Sequence, residues 1–291
     1  MLGSERGKLP EMKTLTYALA ACAALGSGSQ LAAQDIEELP GAEETVFDDN
    51  WLSVGVGVVY SPSYNGSDDY VFSPIPVVQG RLGPVGISPR ARGVTFDFVN
   101  DQGEGTTLSA GLAVGLNRNR AAQIEDAVVL SYGELDTAIE VGPSVGVRFP
   151  ELLNPYDSLS LSVDTVFDVA GAHDGIVVSP TMTYFTPVSR GAAVSLSFGA
   201  AYVDDDYANY YYSVPGGGPL PAFQADGGWE RVGVNVLAGI DLNGNLADGG
   251  LAIIVMGGYS RMLGDAKRSP FTSIRGDADQ WMGALGIGYT F

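Results

Sequence analysis

Residues 281–291, Trp281-Met282-Gly283-Ala284-Leu285-Gly286-Ile287-Gly288-Tyr289-Thr290-Phe291, end the chain in a strict two-residue alternation. Trp281, Leu285, Ile287, Tyr289 and Phe291 share one face with Gly283. Met282, Ala284, Gly286, Gly288 and Thr290 share the other. Successive side chains of a strand point to opposite faces, so this segment has one large apolar face and one face of mostly small residues. Lipid suits the first and a narrow lumen the second, with aromatic residues at both ends where interfacial girdles belong. A strand of a soluble sandwich alternates in the same way, and periodicity alone does not separate the two. Length does: the strands run roughly 10–14 residues, nearer to membrane-spanning strands than to average soluble ones.

The same alternation recurs upstream. In 158–169, Leu159, Leu161, Val163, Phe167 and Val169 oppose Ser158, Ser160, Ser162, Asp164 and Asp168. Leu108, Ala110, Leu112, Val114 and Leu116 alternate with Thr107, Ser109, Gly111, Ala113 and Gly115. Further segments repeat the pattern around Val141, Leu196 and Val234. The expected strands are 51–60, 69–81, 85–90, 92–98, 106–117, 136–149, 157–170, 174–187, 191–203, 229–242, 249–263 and 281–291. The stretch 85–98 reads either as one strand or as two short ones around Arg90-Ala91-Arg92-Gly93. Both termini on the periplasmic side require an even count, which selects two. The turns at 187–191 and 243–249 then fall on the periplasmic side, and the long loops 118–135, 204–228 and 264–280 on the outside. The fold class is all-β: a closed, transmembrane, antiparallel up-and-down β-barrel of about twelve strands.

Composition leads to the same class. Only 17% of the 291 residues are charged, yet no run of 18 apolar residues follows the N-terminus, which argues against spanning helices. A closed barrel is the other way to pair every backbone group inside a bilayer. The formal net charge of −19 argues against nucleic acid as a partner, since phosphate binding needs a basic surface. It is compatible with cations or polycations and equally with plain solubility.

Near the N-terminus, Lys13 precedes the apolar run 15–25, and small residues follow as far as Ala32-Ala33-Gln34. This is the layout of a secretory signal, expected to span 1–33 with cleavage near Ala33. Met12-Lys13 would open a more ordinary signal than Met1 does. Leu19-Ala20-Ala21-Cys22 also resembles a lipobox, which would place a lipid on Cys22, the only cysteine. Residues 34–50, acidic and containing Pro and Gly, read as a periplasmic N-terminal extension, leaving 51–291 as the barrel.

Several motifs carry a family resemblance. Tyr60-Ser61-Pro62-Ser63-Tyr64-Asn65-Gly66-Ser67-Asp68-Asp69-Tyr70 is followed by Pro74-Ile75-Pro76, and later by Ala172-His173-Asp174-Gly175, Tyr211-Tyr212-Ser213-Val214 and Arg261-Met262-Leu263-Gly264-Asp265-Ala266-Lys267-Arg268-Ser269-Pro270. Over about residues 47–291 the chain resembles the MipA/OmpV family of outer-membrane proteins. The resemblance implies an outer-membrane location and a scaffolding role that holds a lytic transglycosylase and a penicillin-binding protein together at the murein layer. Other members are surface adhesins or osmotically regulated proteins. It brings no catalytic motif and no cofactor.

The residues themselves offer a few candidate sites. His173, the only histidine, stands beside Asp174, but Ala172-His173-Asp174-Gly175 reads as a turn. One histidine and no mature cysteine leave no metal set other than an all-oxygen one. Asp204-Asp205-Asp206, followed by Tyr207, Tyr210, Tyr211 and Tyr212, is the most prominent surface feature. It reads as a solvated loop beside an interfacial girdle, or as a site for a cation, such as those that bridge lipopolysaccharide, or for a partner. Asp68 and Asp69 in the first outer loop carry the same two readings. Glu140, Arg148, Asp164, Asp168, Arg231 and Asp241 fall on inward positions and would form a charged lumen network, closed if paired and cation-passing if the acids are free. Three functions follow: a scaffold working through the periplasmic turns and 34–50, a channel or surface-binding protein in contact with outer-membrane lipid and lipopolysaccharide, and an outer-membrane enzyme. The lone turn histidine and the lack of a family catalytic motif disfavour the third.

Overall fold

The computed structural model describes residues 45–99 and 105–291. The expected signal 1–33 with Cys22, and the part of the expected extension before residue 45, lie outside the described residues.

Twelve strands form: β1 (Trp51–Pro62), β2 (Tyr70–Leu82), β3 (Val85–Arg90), β4 (Gly93–Asp97), β5 (Thr107–Asn117), β6 (Ala138–Pro150), β7 (Ser158–Asp168), β8 (Ile176–Ser189), β9 (Ala192–Val203), β10 (Gly228–Asp241), β11 (Gly250–Met262) and β12 (Asp279–Thr290). Each pairs antiparallel with its sequence neighbours, and β12 returns to β1, with Val56 opposite Ile287 and Gly57 opposite Gly286. Closure pairs the sheet edges that a bilayer would otherwise leave unsatisfied, except where β3 leaves β2 beyond Gly80–Ile87. Among the described residues no helix is long and apolar enough to cross a membrane; the crossing is made by strands. The stretch 85–98 is two short strands around the Ala91-Arg92 turn.

The outward faces carry the apolar residues read from the alternation. Leu285 and Ile287 are 61% and 53% exposed, as lipid-facing side chains of an isolated barrel must be. Aromatic residues collect in two bands. Near one end stand Phe47, Trp51, Tyr156, Tyr289 and Phe291; near the other, Tyr60, Tyr70, Phe72, Tyr202, Trp229, Tyr259 and Trp281. Short turns join strands at the first end and long segments at the second. By the usual asymmetry the first end is periplasmic and the second is outer.

The wall is strongly coiled where the short strands sit. A Cβ on Gly111 would lie 1.8 Å from the Phe96 carbonyl oxygen, so only glycine lets β4 and β5 approach this closely. The β2–β3 ladder holds just three residue pairs, Gly80–Ile87, Arg81–Gly86 and Leu82–Val85. Above that point the β3–β4 hairpin parts from β2.

The outer segments fold inward and over the mouth. They carry four short helices: α1 (Ala127–Leu130), α2 (Asp205–Tyr212), α3 (Gly264–Arg268) and α4 (Pro270–Ser273). Two buried apolar clusters hold them. One joins Tyr207, Tyr211 and Tyr212 of α2 to Val177, Val203, Met262 and Ala266. The other joins Tyr64, Ile124, Val129, Val214, Leu220 and Phe271. Burying a side chain of this size is worth roughly 1.5–3 kcal/mol, enough to make the loops a packed lid. Tyr207, Tyr211 and Tyr212 are therefore interior residues and form no part of the lipid-interface girdle. Helix α2 is amphipathic, and the lumen mouth gives its apolar side a dry place that the membrane surface does not.

Candidate functional site

Beneath the lid, the tip of the β3–β4 hairpin carries Arg90 and Arg92 into the lumen. Arg90 Nε donates to Asp164 Oδ2 on β7 at 2.8 Å, and Ser144 Oγ donates to the other oxygen of that carboxylate at 2.5 Å. Arg92 NH1 donates to both oxygens of Glu140 on β6, at 3.0 and 3.2 Å. Its NH2 lies 3.9 Å from Glu230 Oε2 on β10. In the closed strand order β10 stands six strands from β4 in either direction. The Arg92 guanidinium therefore stands across the barrel's interior.

The two carboxylates are almost completely buried, at 3% exposure for Glu140 and 1% for Glu230. Burying a charge costs far more than burying a hydroxyl unless it is paired and hydrogen-bonded. Both conditions are met. Glu140 also accepts from Asn117 Nδ2 at 2.8 Å. Glu230 Oε1 accepts from the Tyr212 hydroxyl at 2.5 Å and the Tyr207 hydroxyl at 3.1 Å. Arg231 Nε lies 3.7 Å from Glu230 Oε2. Two carboxylates thus face two guanidinium groups. Burial, with Glu230 behind it, pushes the Tyr207 and Tyr212 hydroxyls well above the usual tyrosine range, so both stay protonated donors.

His173 completes the cluster from the β7–β8 turn. Its Nδ1 accepts from the Gly175 amide at 3.0 Å, which puts the hydrogen of the neutral ring on Nε2, 3.4 Å from Glu140 Oε1. The ring packs edge-on against Tyr207. Gly175 is required here, since a Cβ would fall 2.5 Å from Asp204 Oδ1 and 2.6 Å from the Tyr207 amide. The turn reading of residues 172–175 holds, with the imidazole pointing inward.

Of the six inward charges expected from alternation, the structure brings Glu140 and Arg231 to the plug and sets Asp164 below it on Arg90. Asp168 instead accepts from the amides of Ala170, His173 and Asp174, and so shapes the β7–β8 turn. Asp241 does the same for the amides of Asn243, Gly244 and Asn245 at the periplasmic end. Arg148 stands exposed near that end of β6. The acidic outer-loop residues are likewise tied to local backbone. Asp204 caps α2 by accepting from Tyr207 N, and Asp205 accepts from Gly227 N. Asp206, Asp68 and Asp69 are exposed, and among the described residues no three acids gather into a metal-holding group.

Arg90, Arg92, Asn117, Tyr207, Tyr212 and Glu230 escape a reading by alternation. Glu230 does so because a bulge between Trp229 and Arg231 shifts the register, and Glu230 is the extra residue. Two adjacent charges after an outward Trp were the available signal, because a strict two-residue period would send one of them into lipid. The arginines belong to a hairpin tip, where periodicity stops.

A concavity of about 720 Å³ lies on the lipid-facing side. Two outward rows wall it, Val145-Val163-Pro180-Ala200-Val232 and Val147-Leu161-Met182-Phe198, while its floor is the backbone of the inward residues between them. It offers no polar chemistry.

A closed antiparallel barrel with apolar outer faces between two aromatic girdles, long loops at one end and short turns at the other, is an integral outer-membrane β-barrel. The chain belongs to the family of MltA-interacting protein MipA, whose model matches residues 54–291. No curated protein matches it. Among solved structures it is similar to an outer-membrane channel from Pseudomonas putida F1, at 13% identity, TM-score 0.43, and coverage of 87% of this chain and 100% of that one. It is also similar to the NanC porin, at 8% identity, TM-score 0.42, and coverage of 82% and 98%. The translocator domain of the autotransporter NalP from Neisseria meningitidis aligns at 10% identity, TM-score 0.39, and coverage of 95% and 98%.

Proposed function

We propose that this barrel is a non-enzymatic anchor, a plugged outer-membrane protein that holds a murein-remodelling enzyme at the periplasmic face. The partner is a lytic transglycosylase, with a penicillin-binding protein beside it. The observation that carries this reading is the plug. Arg92 stands across the lumen between Glu140 and Glu230, under a lid with its own apolar core. Such an end is built to stay shut, so what the barrel offers a soluble partner is its rim. The family's description as MltA-interacting supports a transglycosylase as that partner.

The β6–β7 turn is the best-formed periplasmic docking element. Asp157 accepts from the Leu152 and Leu153 amides at 2.7 and 2.9 Å and from the Tyr184 hydroxyl at 2.7 Å. This fixes a turn that displays Leu153 at 78% exposure beside Leu152 and Tyr156. The extension 34–50 would add a second contact.

Immobilised protein in detergent extract is expected to retain the transglycosylase, and Leu152→Ser with Leu153→Ser to release it while the barrel stays folded. In planar bilayers the protein is expected to be silent. Steady cation-selective steps would overturn the reading and favour a channel. A second reading rests on Asp68, Asp69 and Asp206, which project from the outer face. Cation-dependent binding of lipopolysaccharide, lost in a triple Asn variant, would favour this surface role.

A further inference from the structure

The parting of β3 from β2 leaves a seam in the wall whose edges follow from the hydrogen-bond parity. Leu52 and Phe291 exchange both backbone hydrogen bonds, so the even-numbered residues of β1 face β12 and the odd-numbered face β2. Gly55 opposite Val77 and Gly57 opposite Ile75 then put the odd residues of β2 toward β1 and its even residues toward β3. Pro74 and Pro76 are even. On the other side, Phe98 N donates to Ala110 O, so the even residues of β4 face β5 and its odd residues face β3. Ser88 opposite Thr95 then turns the odd residues of β3, Pro89 among them, toward β2. Three prolines thus stand where the ladder would have continued beyond Gly80–Ile87. Each removes a donor and leaves its carbonyl.

The seam faces the outer half of the bilayer. Tyr60, Tyr70 and Phe72 mark the outer interface. Pro74 and Pro76 lie about 5 and 10 Å deeper than Phe72, taking ~3.3 Å per residue along a strand tilted by ~40°. Unpaired backbone acceptors at that depth are costly in hydrocarbon, so the occupant must bring donors. A second copy adding a strand is disfavoured, because the edge lacks the amides that a ladder needs. The hairpin itself is held away from β2 by Arg90 on Asp164 and Arg92 on Glu140.

We propose that the β2–β3 seam is a lateral binding site for one acyl chain of the outer-leaflet glycolipid, whose hydroxyl and amide groups donate to the carbonyls of Pro74 and Pro76. The chain's apolar part lies along Phe72 and passes inward as far as Ile75, a lumen-side position on β2. The site depends on the outer-membrane location and not on the anchoring role.

The test places a benzophenone amino acid at Ile75 in the full chain and irradiates intact outer membranes. Ser197, on the inward face of β9 and paired with Thr183 of β8 and Asn235 of β10, is the closed-wall control, and Phe72 the lipid-facing one. Folding is checked by the heat-dependent gel shift. A glycolipid adduct is expected at Ile75 and Phe72 and not at Ser197. With Cys22 replaced by Ala, a Val78→Cys/Pro89→Cys pair staples the seam, and oxidation is expected to abolish the Ile75 adduct and reduction to restore it. No adduct at Ile75 beside a labelled Phe72 overturns the proposal. Equal adducts at Ile75 and Ser197 overturn the lateral route, and a phospholipid adduct at Ile75 overturns the glycolipid as occupant.

Discussion

Arg92 is the residue on which the outer end of the lumen turns. Its guanidinium meets two carboxylates from opposite walls, and each of them is buried too deeply for water to replace it. Removing one partner of a buried pair typically costs roughly 3–5 kcal/mol, mostly from the charge left behind. Arg92→Ala is therefore expected to lower the unfolding free energy by an amount in that range, read as a lower urea midpoint at unchanged slope from the gel shift of the folded barrel. Glu230→Gln removes a charge but keeps an acceptor for Tyr207 and Tyr212, so it is expected to cost less. Equal losses in the two variants would mean that hydrogen bonding, and not charge pairing, holds the plug. Tyr212→Phe isolates the hydrogen-bond part and should cost about 1–3 kcal/mol, the penalty of an unpaired buried acceptor.

At the scale of elements, the lid is pinned from both sides. Asp126 caps α1 by accepting from the Val128 and Val129 amides, and its second oxygen takes two hydrogen bonds from Arg275. Desolvation works against this carboxylate, but Arg275 and the two amides outweigh it and hold its pKa below the usual aspartate value. A carboxyl depressed in the folded state stabilises the fold above its unfolded value, about 3.9. That contribution is lost as pH falls through the folded value. Proteolysis of the 118–137 loop is accordingly expected to rise as pH drops below about 4, with no change between pH 5 and 8. Asp126→Ala should show the same loosening at neutral pH and cost about 1 kcal/mol for the cap. Another buried cation in the lid, Arg120, pairs with no carboxylate among the described residues. It donates to the Tyr211 carbonyl and lies 4.0 Å over the Phe271 ring, and burial lowers its pKa to about 10. It remains charged at neutral pH, so the lid holds a cation by a ring face and a carbonyl.

For the whole molecule, wall and plug are separable. The wall is set by twelve ladders of backbone pairs, whereas the plug is made by the side chains of Arg90 and Arg92. The double variant Arg90→Ala/Arg92→Ala is therefore expected to insert as a folded barrel yet give conductance steps in a planar bilayer where the parent is silent. Cation selectivity is expected, since Glu140 and Asp164 would be left in the lumen without their arginines and Glu230 with Arg231 alone. A silent, folded double variant would mean that the lid alone seals the barrel.

The wall is legible in the order of the residues alone. Leu285, Ile287 and Tyr289 in one register with Gly286 and Gly288 between them could form a strand with only one face fit for lipid, and the same holds for 107–117 and 158–168. A two-residue period is a local property, so it was legible strand by strand, and the need to close the sheet supplied the count. The filling of the mouth, by contrast, follows from how distant segments pack. The tyrosines of 207–212 read equally well as a girdle, and Glu230 was hidden by a bulge that breaks the period. Arg92 reaches Glu230 from a hairpin on the opposite wall. These choices depend on contacts between segments from about twenty residues apart, as for Tyr207 and Glu230, to more than a hundred, as for Arg92 and Glu230, and on where a charge can be paired out of water, and neither leaves a periodic mark on the chain.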